Sequence, residues 1–182
     1  MWYVIQTITG KEGELISLIE TILNKKLYSS CFVIKAEWMK RLGGEWQIQV
    51  RPLFPGYIFI DTKQPEQVFE ELKKVPRFSK MLGNAQFEFI PVQVEEQHTL
   101  ELLLEPEDTL EDLSEESGER IIGLSEIFAD EQGKIKITRG ALKQYENNIL
   151  RVDFHKRYAV VNTRILGKDR TLLFGFRLEK DK

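Results

Sequence analysis

The chain holds a single cysteine, Cys31, among its 182 residues. An internal disulfide and a thiolate metal cluster are therefore excluded. Its two histidines, His98 and His155, stand far apart, and no run of carboxylates combines ligand spacing with a turn glycine. No metal centre is expected. No apolar run approaches the roughly 18 residues of a membrane span, and no basic-then-apolar leader opens the sequence. The cytoplasm is the expected compartment, with no membrane partner. Glycine-rich dinucleotide or phosphate loops, CxxC pairs and nucleophile–histidine signatures are also missing. No cofactor and no catalytic residues are expected, and a binding protein is favoured over an enzyme. Cys31 opens an apolar run and reads as a small buried residue, and His98 as an ordinary polar residue on a helix.

What is present is an ordinary globular composition, 42% hydrophobic and 30% charged, with length enough for two small domains. The net charge of −3 conceals a division. Residues 1–104 carry 12 Lys/Arg against 13 Asp/Glu; residues 105–119 carry eight acids and no base; residues 120–182 carry 14 Lys/Arg against 8 Asp/Glu. A neutral domain, an acidic linker and a basic domain are expected in that order. The last points to nucleic acid.

Trp2–Thr7 reads as a strand. Thr9 and Glu12 have the spacing of a capping box, and Leu15, Leu18, Ile19, Ile22 and Leu23 follow at helical spacing, closed by Lys25 and Lys26. Phe32, Ile34, Ala36 and Trp38 alternate with polar positions, as do Trp46, Ile48 and Val50, which predicts two half-buried strands. Gly43-Gly44 supplies the tight turn between them. Pro65 begins a second helix with Val68, Phe69 and Leu72 inward, which Pro76 stops. Phe87–Ile90 predicts a short strand, and Leu100, Leu103 and Leu104 one face of a third helix. Residues 105–118 lack apolar periodicity, so acidic self-repulsion should keep them extended. Beyond them only strands are expected, at Lys134–Thr138, Ile149–Phe154, Tyr158–Arg164 and Leu172–Leu178. The fold class is α+β: an antiparallel sheet with packed helices over 1–104, a flexible linker over 105–119 and a small β-barrel over 120–182.

The densest local signal is Arg51-Pro52-Leu53-Phe54-Pro55-Gly56-Tyr57-Ile58-Phe59-Ile60. Two prolines fix φ and remove two backbone donors, so Arg51–Gly56 is expected to be a stiff loop that presents Leu53 and Phe54. A second signal is Ile135-Lys136-Ile137-Thr138-Arg139-Gly140-Ala141-Leu142, continuing through Asn147 to Ile149-Leu150-Arg151-Val152-Asp153. Asn147 tolerates the left-handed conformation and is expected to keep a turn there.

The Trp2-Tyr3-Val4 start and the Pro-Leu-Phe-Pro-Gly-Tyr run resemble the amino-terminal (NGN) domain of the NusG family of transcription elongation factors. The segment around Gly140 resembles the KOW motif of an SH3-like barrel. Both in this order cover nearly the whole chain. Ala141, Gln144 and Asn147 replace the proline and glycines usual in the KOW arm, and Phe154-His155-Lys156-Arg157-Tyr158 is a basic connection flanked by aromatics. These departures resemble specialised antitermination paralogues of the LoaP type.

The resemblance implies an NGN domain that docks on the clamp helices of RNA polymerase through Trp2, Phe54, Tyr57 and Phe59, although Trp2 and Phe59 suit a core position equally well. Phe69-Glu70-Glu71 lies near the family's second polymerase contact, but its residue types match poorly. The KOW domain would bind a nascent RNA hairpin through the basic residues at turns: Arg139, Lys143, His155, Lys156, Arg157, Lys168 and Arg170. Non-template DNA is a further implied partner, and a monomer is expected. Two alternatives stay open: a general NusG-type factor whose KOW domain binds ribosomal or termination proteins, and an RNA-binding protein of the translation machinery.

Overall fold

The computed structural model describes residues 1–74, 89–104, 118–130 and 134–179. The stretches 105–117, holding most of the acidic linker, and 75–88, holding Pro76 and the start of the fourth anticipated strand, lie outside the described residues. In chain order the elements are β1 (Trp2–Gln6), α1 (Glu12–Ile22), β2 (Ser30–Leu42), β3 (Glu45–Pro52), β4 (Tyr57–Asp61), α2 (Pro65–Lys73), β5 (Phe89–Pro91) and α3 (Val94–Leu104). There follow β6 (Glu119–Ile122), β7 (Ser125–Ala129), β8 (Ile135–Arg139), a 3-10 helix (Ala141–Asn148), β9 (Ile149–Asp153), β10 (Tyr158–Ile165) and β11 (Lys168–Leu178). One sheet has the order β3-β2-β4-β1-β5, with β6 also paired to β2; the other has the order β8-β7-β11-β10-β9. The described residues divide into two compact units: 1–34, 54–74, 89–97 and 118–120; and 35–53, 98–104, 121–130 and 134–179. No helix among them is long and apolar enough to cross a membrane.

In the first unit, helix periodicity and strand alternation meet on one sheet face. Leu15, Ile16 and Ile19 of α1 and Val68 and Leu72 of α2 pack against Ile5, Cys31, Val33, Ile58 and Ile60. Pro65 starts α2 as anticipated, where a missing N–H costs nothing. The Cys31 thiol is buried there, and burial together with the Glu20 charge pushes its pKa far up, so it stays protonated and unreactive. The opposite face carries Trp2, Val4, Phe32 and Phe59, set in one row by the pairings Val4↔Phe59 and Phe32↔Phe59. Because both faces are covered, Cys31–Ile34 is buried without a break. Alternation could not reveal that.

The capping box does not form. The chain turns through Lys11 N–H to Ile8 O at 2.9 Å, and Lys11 is the N-cap with no side-chain bond. Glu12 is thereby the first helical residue. Its carboxylate accepts Gly10 N–H at 2.8 Å and Gly56 N–H at 2.7 Å, pinning the proline–glycine loop to the start of α1. We expect Glu12→Gln, which halves the acceptor capacity and removes the charge, to cost about 2 kcal/mol. Urea unfolding checks this; an unchanged midpoint would mean that the loop is held without Glu12.

In the second unit, β2 beyond Lys35 and β3 form a hairpin with the register Trp38↔Gln49 and Arg41↔Trp46. Gly43 (φ 60°) and Gly44 (φ 93°) make the left-handed turn anticipated from sequence. Arg51 and Pro52 are not loop residues, since they pair with Ala36 and Lys35. Proline is tolerated because β3 is the sheet edge and Pro52 its last residue. Ile48, 54% exposed, and Val50 also differ from the half-buried reading, because they face solvent on that edge strand.

The remaining strands curl around Ile127, Ile137, Ala159, Val161, Leu172, Phe174 and Phe176. β7 was not anticipated, and β11 begins at Lys168, earlier than expected, because Leu166 (φ 55°) and Gly167 (φ 69°) form a two-residue hairpin turn. Asn147 lies inside the 3-10 helix and keeps no left-handed turn. That helix seals the barrel with Leu142 and Tyr145, whose ring stacks on Phe174 at 5.6 Å.

Candidate functional site

The expected aromatic display at the proline loop is reversed. Leu53 and Phe54 are buried, Phe54 being 2% exposed. The Phe54 ring meets Phe59 edge-on at 5.8 Å, and Phe59 stacks on Phe32 at 5.6 Å, with Trp2 edge-on to Phe32 at 5.0 Å and to Phe59 at 6.0 Å. Trp2, Phe54 and Phe59 are thus one buried aromatic cluster, with more to gain from each other than from water. The loop's outer surface is made by Pro55, which is exposed, and Tyr57, which is half-buried. Gly56 permits this path. Its φ is +78°, and a Cβ there would stand 2.8 Å from Thr7 O. Thr7 N–H closes the turn on Gly56 O at 2.7 Å.

Sequence reasoning missed the lid of this cluster. Arg120, the first base after the acidic run, lies with its guanidinium carbon 3.6 Å from the Phe32 ring centre and 5.1 Å from that of Trp2. Its Nη2 donates to Ser30 Oγ at 3.2 Å. No local pattern distinguishes such an arginine from a solvated one. Phe69 of the weakly matched Phe69-Glu70-Glu71 run lines an open groove of about 760 Å³ with Tyr3, Phe89 and Ile90.

Six of the seven basic positions, all but Lys143, fall at the two ends of β10, whose eight residues span about 23 Å at ~3.3 Å each. His155 and Lys156 are exposed in the β9–β10 turn, where Asp153 accepts Lys156 N–H at 2.8 Å. That bond, with the charges of Lys156 and Arg151, holds the Asp153 carboxyl below its usual range. Arg157 closes the turn with φ 57°, donates to Phe154 O and lies 4.9 Å over the Trp46 ring. Arg139 belongs to the same end: it pairs with Glu126, which is itself bonded by Arg177, the residue after Phe176, whose N–H meets Arg157 O. Lys143 is exposed on the 3-10 helix. Lys168 and Arg170 start β11 at the far end, beside Ile165 and Thr163. Arg170 Nε donates to Ile165 O at 3.3 Å. The structure therefore makes two cationic groups, and Arg157 is more a packing residue than a free charge. Among the described residues no cluster of acids, histidines and cysteine suits a metal ion.

The family model "Transcription termination factor nusG" matches residues 1–101. The transcription termination/antitermination protein NusG of Thermus thermophilus is 26% identical over 160 residues, covering 75% of this chain and 86% of the relative. That of Pasteurella multocida is 20% identical over 171 residues, covering 92% and 87%. A solved structure on domain interaction in Thermotoga maritima NusG aligns with 96% of this chain and 92% of its own, at 18% identity and a TM-score of 0.49.

Proposed function

The chain belongs to the NusG family, whose members in the comparisons are transcription termination/antitermination factors, and from that premise we propose that it is an antitermination factor of the LoaP type, bound to RNA polymerase and to nascent structured RNA. The first unit docks on the polymerase clamp helices through the surface of the proline loop. Tyr57 supplies the anchor, and the buried Trp2–Phe54–Phe59 cluster, together with Glu12, fixes its position. A preformed loop loses little entropy on binding, which favours an anchor of this kind. The basic part of the chain holds the RNA, so two modest contacts on one chain reinforce each other.

The observation that carries the RNA half of this reading is the exposed cationic turn His155-Lys156 at one end of β10, matched by Lys168 and Arg170 at the other. Their separation suits phosphates along a stem, because a regular RNA helix hides its base edges and is read by shape and backbone. Binding of the full chain to a leader hairpin should fall steeply with salt. Lys156→Ala and Lys168→Ala should each lower the slope of log affinity on log salt by about one. Filter binding at several salt concentrations measures this. Equal affinity for the hairpin and a scrambled strand would favour the general NusG-type alternative, whose KOW domain contacts proteins.

A further inference from the structure

The hairpin of the second unit carries two tryptophans with guanidinium partners, and one of them begins a continuous row. Arg51 pairs with Ala36, one diagonal step from Trp38 on the same face, which puts its guanidinium carbon 5.1 Å from the Trp38 ring centre. The Tyr158 ring, at the start of β10, follows Trp38 at 5.8 Å with a 37° tilt. Arg151 pairs with Val160, again one diagonal step away, and its Nη2 donates to the Tyr158 hydroxyl at 2.6 Å. All four belong to the second unit. The two arginines are exposed and the two rings half-buried. Among the described residues neither arginine forms an ion pair with a carboxylate, so the row keeps two positive charges at its ends.

We infer that Arg51–Trp38–Tyr158–Arg151 is a stacking strip for unpaired RNA bases, next to the stem contact made by His155 and Lys156. The inference rests on the reading that this unit binds structured RNA. A guanidinium lying over an aromatic ring has a second planar face, and an unpaired base stacks on such faces as it does on aromatic rings. An acidic peptide would satisfy the charge but would leave the planes unused. A stem would satisfy the charge too, but its base faces are already stacked on one another. Unpaired nucleotides offer both features, a flat face and a phosphate one step along. Gln49, opposite Trp38 on the same face, adds an amide able to meet a base edge. The strip adjoins the cationic turn directly, since His155 and Lys156 stand just before Tyr158. The expected ligand is therefore a hairpin whose loop or flank is single-stranded.

The test uses the full chain and three probes: a stem with a minimal loop, the same stem with a long adenosine loop, and a short oligoadenylate. The wild type should prefer the long loop over the minimal one. The double variant Arg51→Lys with Arg151→Lys keeps the charge and touches no buried side chain, but it loses the planar groups. It should bind the long-loop probe and the oligoadenylate about tenfold more weakly, with the minimal-loop stem unaffected. Trp38→Ala should repeat that pattern, with circular dichroism confirming the fold. Wild-type strength of the double variant on all three probes would overturn the strip and leave the row as a clasp between hairpin and barrel. Oligoadenylate bound in an Arg51-dependent way, with no binding of either stem, would support the strip while refuting the hairpin reading. A DNA control, oligodeoxyadenylate, is measured beside the three probes, and its binding as tightly as oligoadenylate would overturn the assignment to RNA.

Discussion

Tyr57→Ala should leave folding stability within about 1 kcal/mol of the wild type and yet lower copurification with RNA polymerase by more than tenfold. Phe54→Ala should lose both. The difference follows from where the two rings sit. Tyr57 is half-buried at the loop surface, whereas Phe54 is buried against Phe59 within the cluster that also holds Trp2 and Phe32. Truncating an interface anchor costs on the order of 2 kcal/mol of binding. Emptying a core aromatic site costs about 3–5 kcal/mol of folding. Thermal unfolding together with polymerase pull-down separates the two. If Tyr57→Ala binds polymerase at wild-type strength, the docking surface is elsewhere. If Phe54→Ala folds as well as the wild type, its burial contributes nothing.

The second large effect concerns Gly140. Its backbone, at φ 91° and ψ −178°, lies in a region open almost only to glycine. A Cβ there would also stand 2.7 Å from the Cα of Ser125, a backbone atom with nowhere to move. The close approach serves the barrel, because Ser125 Oγ accepts Leu142 N–H at 3.0 Å and so starts the 3-10 helix that seals the core. Gly140→Ala should cost on the order of 3 kcal/mol or more and abolish RNA binding. Gly44→Ala is the control: its φ is +93°, but a Cβ would meet nothing within 4 Å. It should cost only about 1–2 kcal/mol of backbone strain. Equal costs for the two, measured by urea unfolding, would mean that the Ser125 contact is slack.

Much of this architecture was legible because it is local. The spacing of Leu15, Leu18 and Ile19 predicted α1, Pro65 the start of α2, and Gly43-Gly44 the hairpin. What could not be read was set by contacts distant in sequence. Glu12 has the spacing of a capping residue, but its stronger use is to bond Gly56, 44 residues away. Phe54 stands between prolines, as an exposed anchor would, and is drawn inward by Phe59, Trp2 and Phe32. Arg157 looked like one more cation in a turn, until Trp46 of a remote strand took its charge over an aromatic face. Periodicity places a side chain on a face, but it cannot say what covers that face.

Readthrough of a terminator in single-round transcription addresses the central claim most directly. The templates differ only in whether the leader upstream of the terminator forms a hairpin, and the polymerase comes from the same cell as the factor. The full chain should raise readthrough on the hairpin template alone, and both Tyr57→Ala and the pair Lys156→Ala with Lys168→Ala should abolish the gain. Equal readthrough on both templates, or a gain that survives either change, would contradict a factor that acts by holding polymerase and structured RNA together.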